Sequence, residues 1–124
     1  IQMCIQELST CSQYDLPIKI ININNEALGM VKQWQDMSYG GRHSESTYQS
    51  SLPNFIELVE SYGHSGFKIE KNSDLKSILD EAFSIKDKLV FLDVYVDPDE
   101  HVYPMLVAPN GSLKDMWIDK DKKV

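Results

Sequence analysis

Asn24-Asn25-Glu26 are the first residues in this sequence whose types could do chemistry, because they follow directly on the β-branched run Ile18 to Ile23. In open α/β sheets, ligands bind beyond the carboxyl ends of the strands. An Asn amide oxygen is a hard ligand that can complete an octahedral Mg²⁺ shell with a carboxylate, a main-chain carbonyl and phosphate oxygens. The same dipeptide also suits a plain turn, since Asn tolerates left-handed backbone, and both readings stay open. Gly29 then lets a backbone or cofactor approach closely. Met30 and Trp34, one helical turn apart, suit either an apolar pocket or ordinary core. His43, His64 and His101 share no metal-ligand spacing and read as surface or tail residues. Cys4 and Cys11 lie seven residues apart in a predicted helix, about 10 Å by its rise. A disulfide needs less than about 7 Å, so both thiols read as buried and reduced. No nucleophile elbow, P-loop or dinucleotide glycine fingerprint is present.

The 124 residues suit one domain. A 42% hydrophobic and 25% charged composition is that of a folded globular chain. The formal charge of −7, with eleven scattered lysines and Arg42 as the one arginine, argues against nucleic acid and anionic lipid as partners. No apolar run is long enough for a membrane span and no basic-then-apolar leader opens the sequence, so the expected location is cytoplasmic. Ile1-Gln2-Met3 begins inside a helical pattern with no cap ahead of it, as expected for a piece of a larger protein.

The elements that would position these residues follow from periodicity. Ile1, Cys4, Ile5, Leu8 and Cys11 predict a helix over 1–14, stopped by Pro17. Residues 18–24 predict a strand buried on both faces of a parallel sheet. A helix is predicted from Ala27 to Met37, with Leu28, Val31 and Trp34 on its apolar side. Residues 38–51 form a long polar loop, a candidate functional segment. Pro53 opens the next helix, with Phe55, Ile56, Val59 and Tyr62 as its stripe and Gly63 as its end. A strand over 66–70, a helix capped by Ser73 and a central strand over 89–96 complete the order. This is an α/β fold, three layers α/β/α around a mostly parallel sheet. Residues 97–124 read as an extended tail, charged and frayed over 119–123.

Several stretches resemble one family. They are Ile-Gln-Glu-Leu-Ser-Thr (5–10), Asn-Asn-Glu-Ala-Leu-Gly-Met-Val-Lys-Gln-Trp-Gln (24–35), Gly-Arg-His-Ser (41–44) and Glu-His-Val-Tyr-Pro-Met (100–105). In this order the chain resembles the C-terminal, pyrophosphate-binding domain of thiamine-diphosphate enzymes, and specifically the catalytic large subunits of acetolactate synthase, also called acetohydroxyacid synthase. The Asn-Asn element is general to thiamine-diphosphate enzymes. The Gly-Met-Val-x-Gln-Trp run and the Val-Tyr-Pro-Met tail are the more specific part. The family motif opens with Gly-Asp-Gly-Ser, whose Asp is a Mg²⁺ ligand; here the sequence starts just after that Ser, so residues 1–124 correspond to a pyrophosphate domain truncated at its N-terminus.

The resemblance implies roles residue by residue. Asn25 would give Mg²⁺ its side-chain oxygen and Ala27 its main-chain carbonyl. Gly29 and Met30 would lie against thiamine diphosphate. Val31 and Trp34 would shape the pocket for the second 2-oxoacid, Trp34 favouring 2-oxobutyrate over pyruvate. No catalytic residue is expected in this chain: the Glu that activates the cofactor comes from another domain of a partner subunit, and FAD binds outside these residues. The implied reaction is decarboxylation of pyruvate and carboligation to pyruvate or 2-oxobutyrate, in valine, leucine and isoleucine synthesis. A homo-oligomer of catalytic subunits is implied, with room for a small regulatory subunit. The isolated piece is expected to be inactive, and its sheet to present an unpaired edge prone to self-association. Two rival readings are another thiamine-diphosphate carboligase or decarboxylase, against which Trp34 and the Val-Tyr-Pro-Met tail argue, and a stand-alone binding module without catalysis.

Overall fold

A computed structural model describes residues 1–48, 50–106 and 111–124. The chain divides into two compact units, each assembled from two stretches: residues 1–25 with 49–96, and residues 26–48 with 97–124.

The first unit is built on a three-stranded parallel sheet. Its strands are β1 (Lys19–Asn24), β2 (Ser65–Ile69) and β3 (Val90–Tyr95), in the order β1-β3-β2. Phe91 of β3 lies in register with Ile20 of β1 and Gly66 of β2. Successive strand residues point to opposite faces, so β3 feeds two separate cores. Phe91 packs with Leu89, with Leu8 of α1 (Glu7–Gln13) and with Phe55 and Val59 of α3 (Phe55–Ser61). Val90 and Leu92 pack on the other face with Ile69 and with Ala82 of α4 (Asn72–Ser84). These are the three layers expected of the sequence. Gly66 is required by the closeness of α3: a Cβ there would stand 2.9 Å from Cγ2 of Ile56 and 3.2 Å from its Cα.

Several details correct the expectations. The predicted helix 1–14 is a 3₁₀ turn at Gln2–Cys4 followed by the two-turn α1. A helix this short buries one narrow stripe, so Leu8 is buried, Cys11 half-buried and Cys4 exposed rather than buried; both thiols are free. β1 is not buried on both faces. It lies at one end of the sheet, while α4 packs over β2 and β3, and Ile21 and Ile23 stay 48% and 62% exposed. The cap of α3 is Asn54, whose Oδ1 accepts from the N–H groups of Ile56 and Glu57, with Pro53 one residue ahead of it. Ser73 does not cap α4: its hydroxyl donates to the Asp74 carboxylate, and Lys71 precedes the helix. His64 is buried, not on the surface, because Nε2–H donates to the Leu8 carbonyl at 2.9 Å and so satisfies the ring inside the core.

The second unit holds α2 (Gly29–Ser38) and a small antiparallel sheet of β4 (Met105–Leu106), β5 (Met116–Asp119) and β6 (Lys122–Lys123). The charged end is therefore paired rather than frayed: Trp117 and Lys123 are in register and the Lys123 ammonium lies 4.6 Å from the Trp117 ring centroid. Alternating Trp117 and Lys123 with turn residues suffices for a hairpin once the ring gives the Lys stem a surface to cover. Among the described residues, no helix is long and apolar enough to cross a membrane.

Candidate functional site

The Asn-Asn element divides between two duties. Asn24, at the end of β1, is buried; its Nδ2 donates to both oxygens of the buried Asp93 at 3.1 and 3.2 Å. Asn22 donates to the same carboxylate at 2.7 Å, and the Asn24 carbonyl accepts from the Val96 N–H at 3.0 Å. These bonds across β1 and β3 fix the strand exit, beyond which stands the half-buried Asn25. The sequence suggested that an Asn would take the left-handed turn conformation. Glu26 takes it instead, at φ +55°, a position at which a non-glycine residue persists only when its surroundings hold it.

In the second unit the surroundings of Glu26 are plain. Tyr48 donates its N–H to the Glu26 carbonyl at 2.9 Å and Leu28 donates to Ser46 at 2.8 Å, so residues 26–28 run antiparallel to 46–48 with Ala27 opposite Thr47. The long polar loop is thus tied to the segment that carries Ala27 into α2. Leu28 occupies the N-cap position with no side-chain acceptor to offer. The first N–H groups of a helix have no partner within it, and together with the positive end of the dipole they suit an anion.

The burial of α2 reverses the expected pattern. Leu28, Met30 and Val31 are 43%, 50% and 45% exposed, whereas Lys32 and Gln33 are buried. Tertiary hydrogen bonds explain the reversal. Gln33 grips the main chain of Val102 with both ends of its amide, accepting from its N–H at 3.1 Å and donating to its carbonyl at 2.9 Å, and also donates to the Met105 sulfur. The Gln-Trp run and the Val-Tyr-Pro-Met tail are therefore partners in one clasp. Lys32 pairs with Asp36 at 2.9 Å and Asp99 at 2.7 Å. Burial of Lys32 opposes its charge, but the bonds and charges of Asp99 and Asp36 prevail and hold its pKa above the ordinary lysine value. Burial likewise opposes ionisation of Asp36, and Lys32 and His43 outweigh it, leaving that carboxyl below its usual range.

Facing residues out of α2 leaves a cleft of about 540 Å³ lined by Val31, Trp34, Gln35, Tyr39, Arg42, His43 and Ser44. Val31 and Trp34, expected to form one pocket, do share this cleft. Met30 is not on its wall, and Asn25 belongs to the other unit. Arg42 enters the sequence reading only within a resembling stretch. His43 is exposed, as expected, and its ring and that of His101 both meet Asp36 through Nε2, at 2.6 and 2.9 Å. The wide separation of His101 from Asp36 along the chain conceals that second contact.

Asn25 and Ala27 offer two neutral oxygens of the type Mg²⁺ takes, fewer than the six it requires. Among the described residues no three of His, Cys, Asp and Glu gather into a metal site. Neutral oxygens of this kind are ones a hard cation such as Mg²⁺ accepts beside phosphate and water.

The family model for the C-terminal TPP-binding domain of thiamine pyrophosphate enzymes matches residues 1–94. The acetolactate synthase large subunit of Haemophilus influenzae is 57% identical over 123 residues, covering 99% of this chain and 21% of that protein. The acetolactate synthase isozyme 3 large subunit of Escherichia coli is 53% identical over 125 residues, again 99% of this chain and 21% of that one. The chain thus spans about a fifth of the length of these curated relatives. A thiamine diphosphate-dependent 4-hydroxybenzoylformate decarboxylase of Rhodococcus jostii shares the fold, with a TM-score of 0.65 at 22% identity over 75% of this chain and 17% of that one. By the match over residues 1–94, this chain belongs to the C-terminal TPP-binding domain family of thiamine pyrophosphate enzymes.

Proposed function

We propose that this chain supplies the cofactor- and acceptor-side part of an acetolactate synthase: with thiamine diphosphate and Mg²⁺, the full-length protein decarboxylates pyruvate and joins the two-carbon unit to pyruvate or 2-oxobutyrate. The observation that carries this reading is the division of α2, where the stretch that most specifically resembles the synthase turns Gln33 inward to build the clasp and Val31 and Trp34 toward the cleft. When bound, thiamine diphosphate supplies the electron sink for decarboxylation. Asn25 would give the metal its amide oxygen and Ala27 its main-chain carbonyl, the latter insensitive to a change of side chain. Gly29 and Met30, at the open start of α2, would lie against the diphosphate and the rest of the cofactor. Val31 and Trp34 would exclude water around the acceptor and set its size, the indole leaving a broad apolar contact for the extra methylene of 2-oxobutyrate.

In this reading FAD is held outside these residues, the catalytic subunits assemble with one another and with a small regulatory subunit, and the enzyme works in the cytoplasm in branched-chain amino acid synthesis. The exposed Ile21 and Ile23 on the end strand β1 support burial of that edge in the full assembly. The test is competition between acceptors in the full-length protein. Trp34→Leu is expected to lower the preference for 2-oxobutyrate over pyruvate by about tenfold, the scale of one methylene in an apolar pocket. An unchanged preference overturns the acceptor role of Trp34, and absence of acetolactate from the unaltered protein supplied with thiamine diphosphate, Mg²⁺ and FAD overturns the reading as a whole. Residues 1–124 alone are expected to consume no pyruvate.

A further inference from the structure

Asp36 lies in the last turn of α2, where the negative end of the helix dipole disfavours a carboxylate. Three donors from three segments offset that placement. Lys32 Nζ, one turn back on α2, lies 2.9 Å from Oδ2; His43 Nε2, from the polar loop, 2.6 Å from Oδ1; and His101 Nε2, from the tail, 2.9 Å from Oδ2. An ionised carboxylate only accepts, so both rings present Nε2–H to it and their tautomer and orientation are set. His43 is also a wall of the Trp34 cleft, between Arg42 and Ser44. Gln35 ties the following residues, its amide bonding both main-chain groups of Ser44 and accepting from the Ser46 hydroxyl. Asp36 is therefore the group that fixes the cleft wall at the ring of His43, while Gln35 fixes it at Ser44.

We infer that Asp36 is a positioning residue for the acceptor cleft: by holding the His43 ring it keeps the segment 42–44 closed against Trp34, without touching the acceptor itself. This rests on the acetolactate synthase reading for the identity of the acceptor, though not for the anchoring. The test uses the full-length protein carrying Asp36→Asn, which keeps the volume and removes the charge. Loss of charge-assisted bonds to one group predicts a rise in KM for 2-oxobutyrate of about tenfold with kcat changed less than about twofold. Amide hydrogen exchange over 42–46 should quicken by a similar factor while β3 is unaffected. Asp36→Glu should recover part of the KM, a rescue that mere loss of packing would not give. His43→Gln, which leaves Lys32 and Asp36 paired, should reproduce the KM effect and carries the test if Asp36→Asn fails to fold. Unchanged exchange over 42–46, or quickened exchange with an unchanged KM, overturns the inference. If the unaltered protein makes no acetohydroxy acid, the functional reading falls, while the exchange result still upholds or overturns Asp36 as the anchor.

Discussion

The two units solve the problem of burial in opposite ways. Around the parallel sheet, α1, α3 and α4 each turn apolar side chains inward, and Leu89, Val90, Phe91 and Leu92 are wholly buried. In the α2 unit the helix turns Lys32 and Gln33 inward and leaves Leu28, Met30 and Val31 outside. Hydrophobic burial is non-directional and tolerant, which suits a scaffold. Hydrogen-bonded burial is directional and fixes one arrangement, which suits a surface that must present particular side chains. The comparison teaches that the apolar residues of α2 are arranged for something other than the stability of this chain.

The largest test of the contrast is Phe91→Ala. It removes the ring that stacks on Phe55, with centroids 5.9 Å apart, and is expected to cost about 3–5 kcal/mol in chemical denaturation. A cost below about 1 kcal/mol would mean that the sheet unit is not held by its core. Next comes Gln33→Leu, which keeps the bulk and strips the Val102 main chain of both partners. Val102 is itself exposed, so water can take over the freed groups, and about 0.5–1.5 kcal/mol is expected for each lost bond, read as faster hydrogen exchange at Val102. If the leucine variant is as stable as the original, the polar clasp is not what holds α2.

A smaller effect is expected from pH. The Asp36 pKa is lowered on folding, so its stabilising contribution is present above the unfolded carboxylate value of 3.8 and is lost as pH falls through the lower folded value. The Lys32 pKa is raised, so its contribution is present below 10.5 and is lost as pH rises through the higher folded value. Denaturation profiles should thus show an acid limb that Asp36→Asn reduces, together with an alkaline limb. Persistence of the full acid limb in that variant would assign it elsewhere. The smallest effect is expected from Met30→Ala and Val31→Ala, each within about 0.5 kcal/mol of the original because the side chains are half exposed. A loss near that of Phe91→Ala would erase the distinction between the units.

Much of the sheet unit was legible because its period and its burial agree. Val59 and Ala82 fall where helical spacing puts them, and the run from Leu89 reads as the central strand it is. The candidate site was legible in part: Val31 and Trp34 stand one helical turn apart and share a cleft because a single helix carries both. The edge position of β1 was not, since a run of isoleucines reads alike at the edge and at the centre of a sheet. Nor was the burial of Lys32, which depends on an aspartate 67 positions away.

By itself the sequence determined the strands and the longer helices of the sheet unit and which residues carry oxygen, cation and aromatic chemistry, because these depend on spacing within one segment. Only the tertiary structure decided that Gln33 reaches Val102 and that His101 reaches Asp36. Such pairings join segments far apart along the chain, and hydrogen bonds, unlike periodicity, leave no trace in the order of residues.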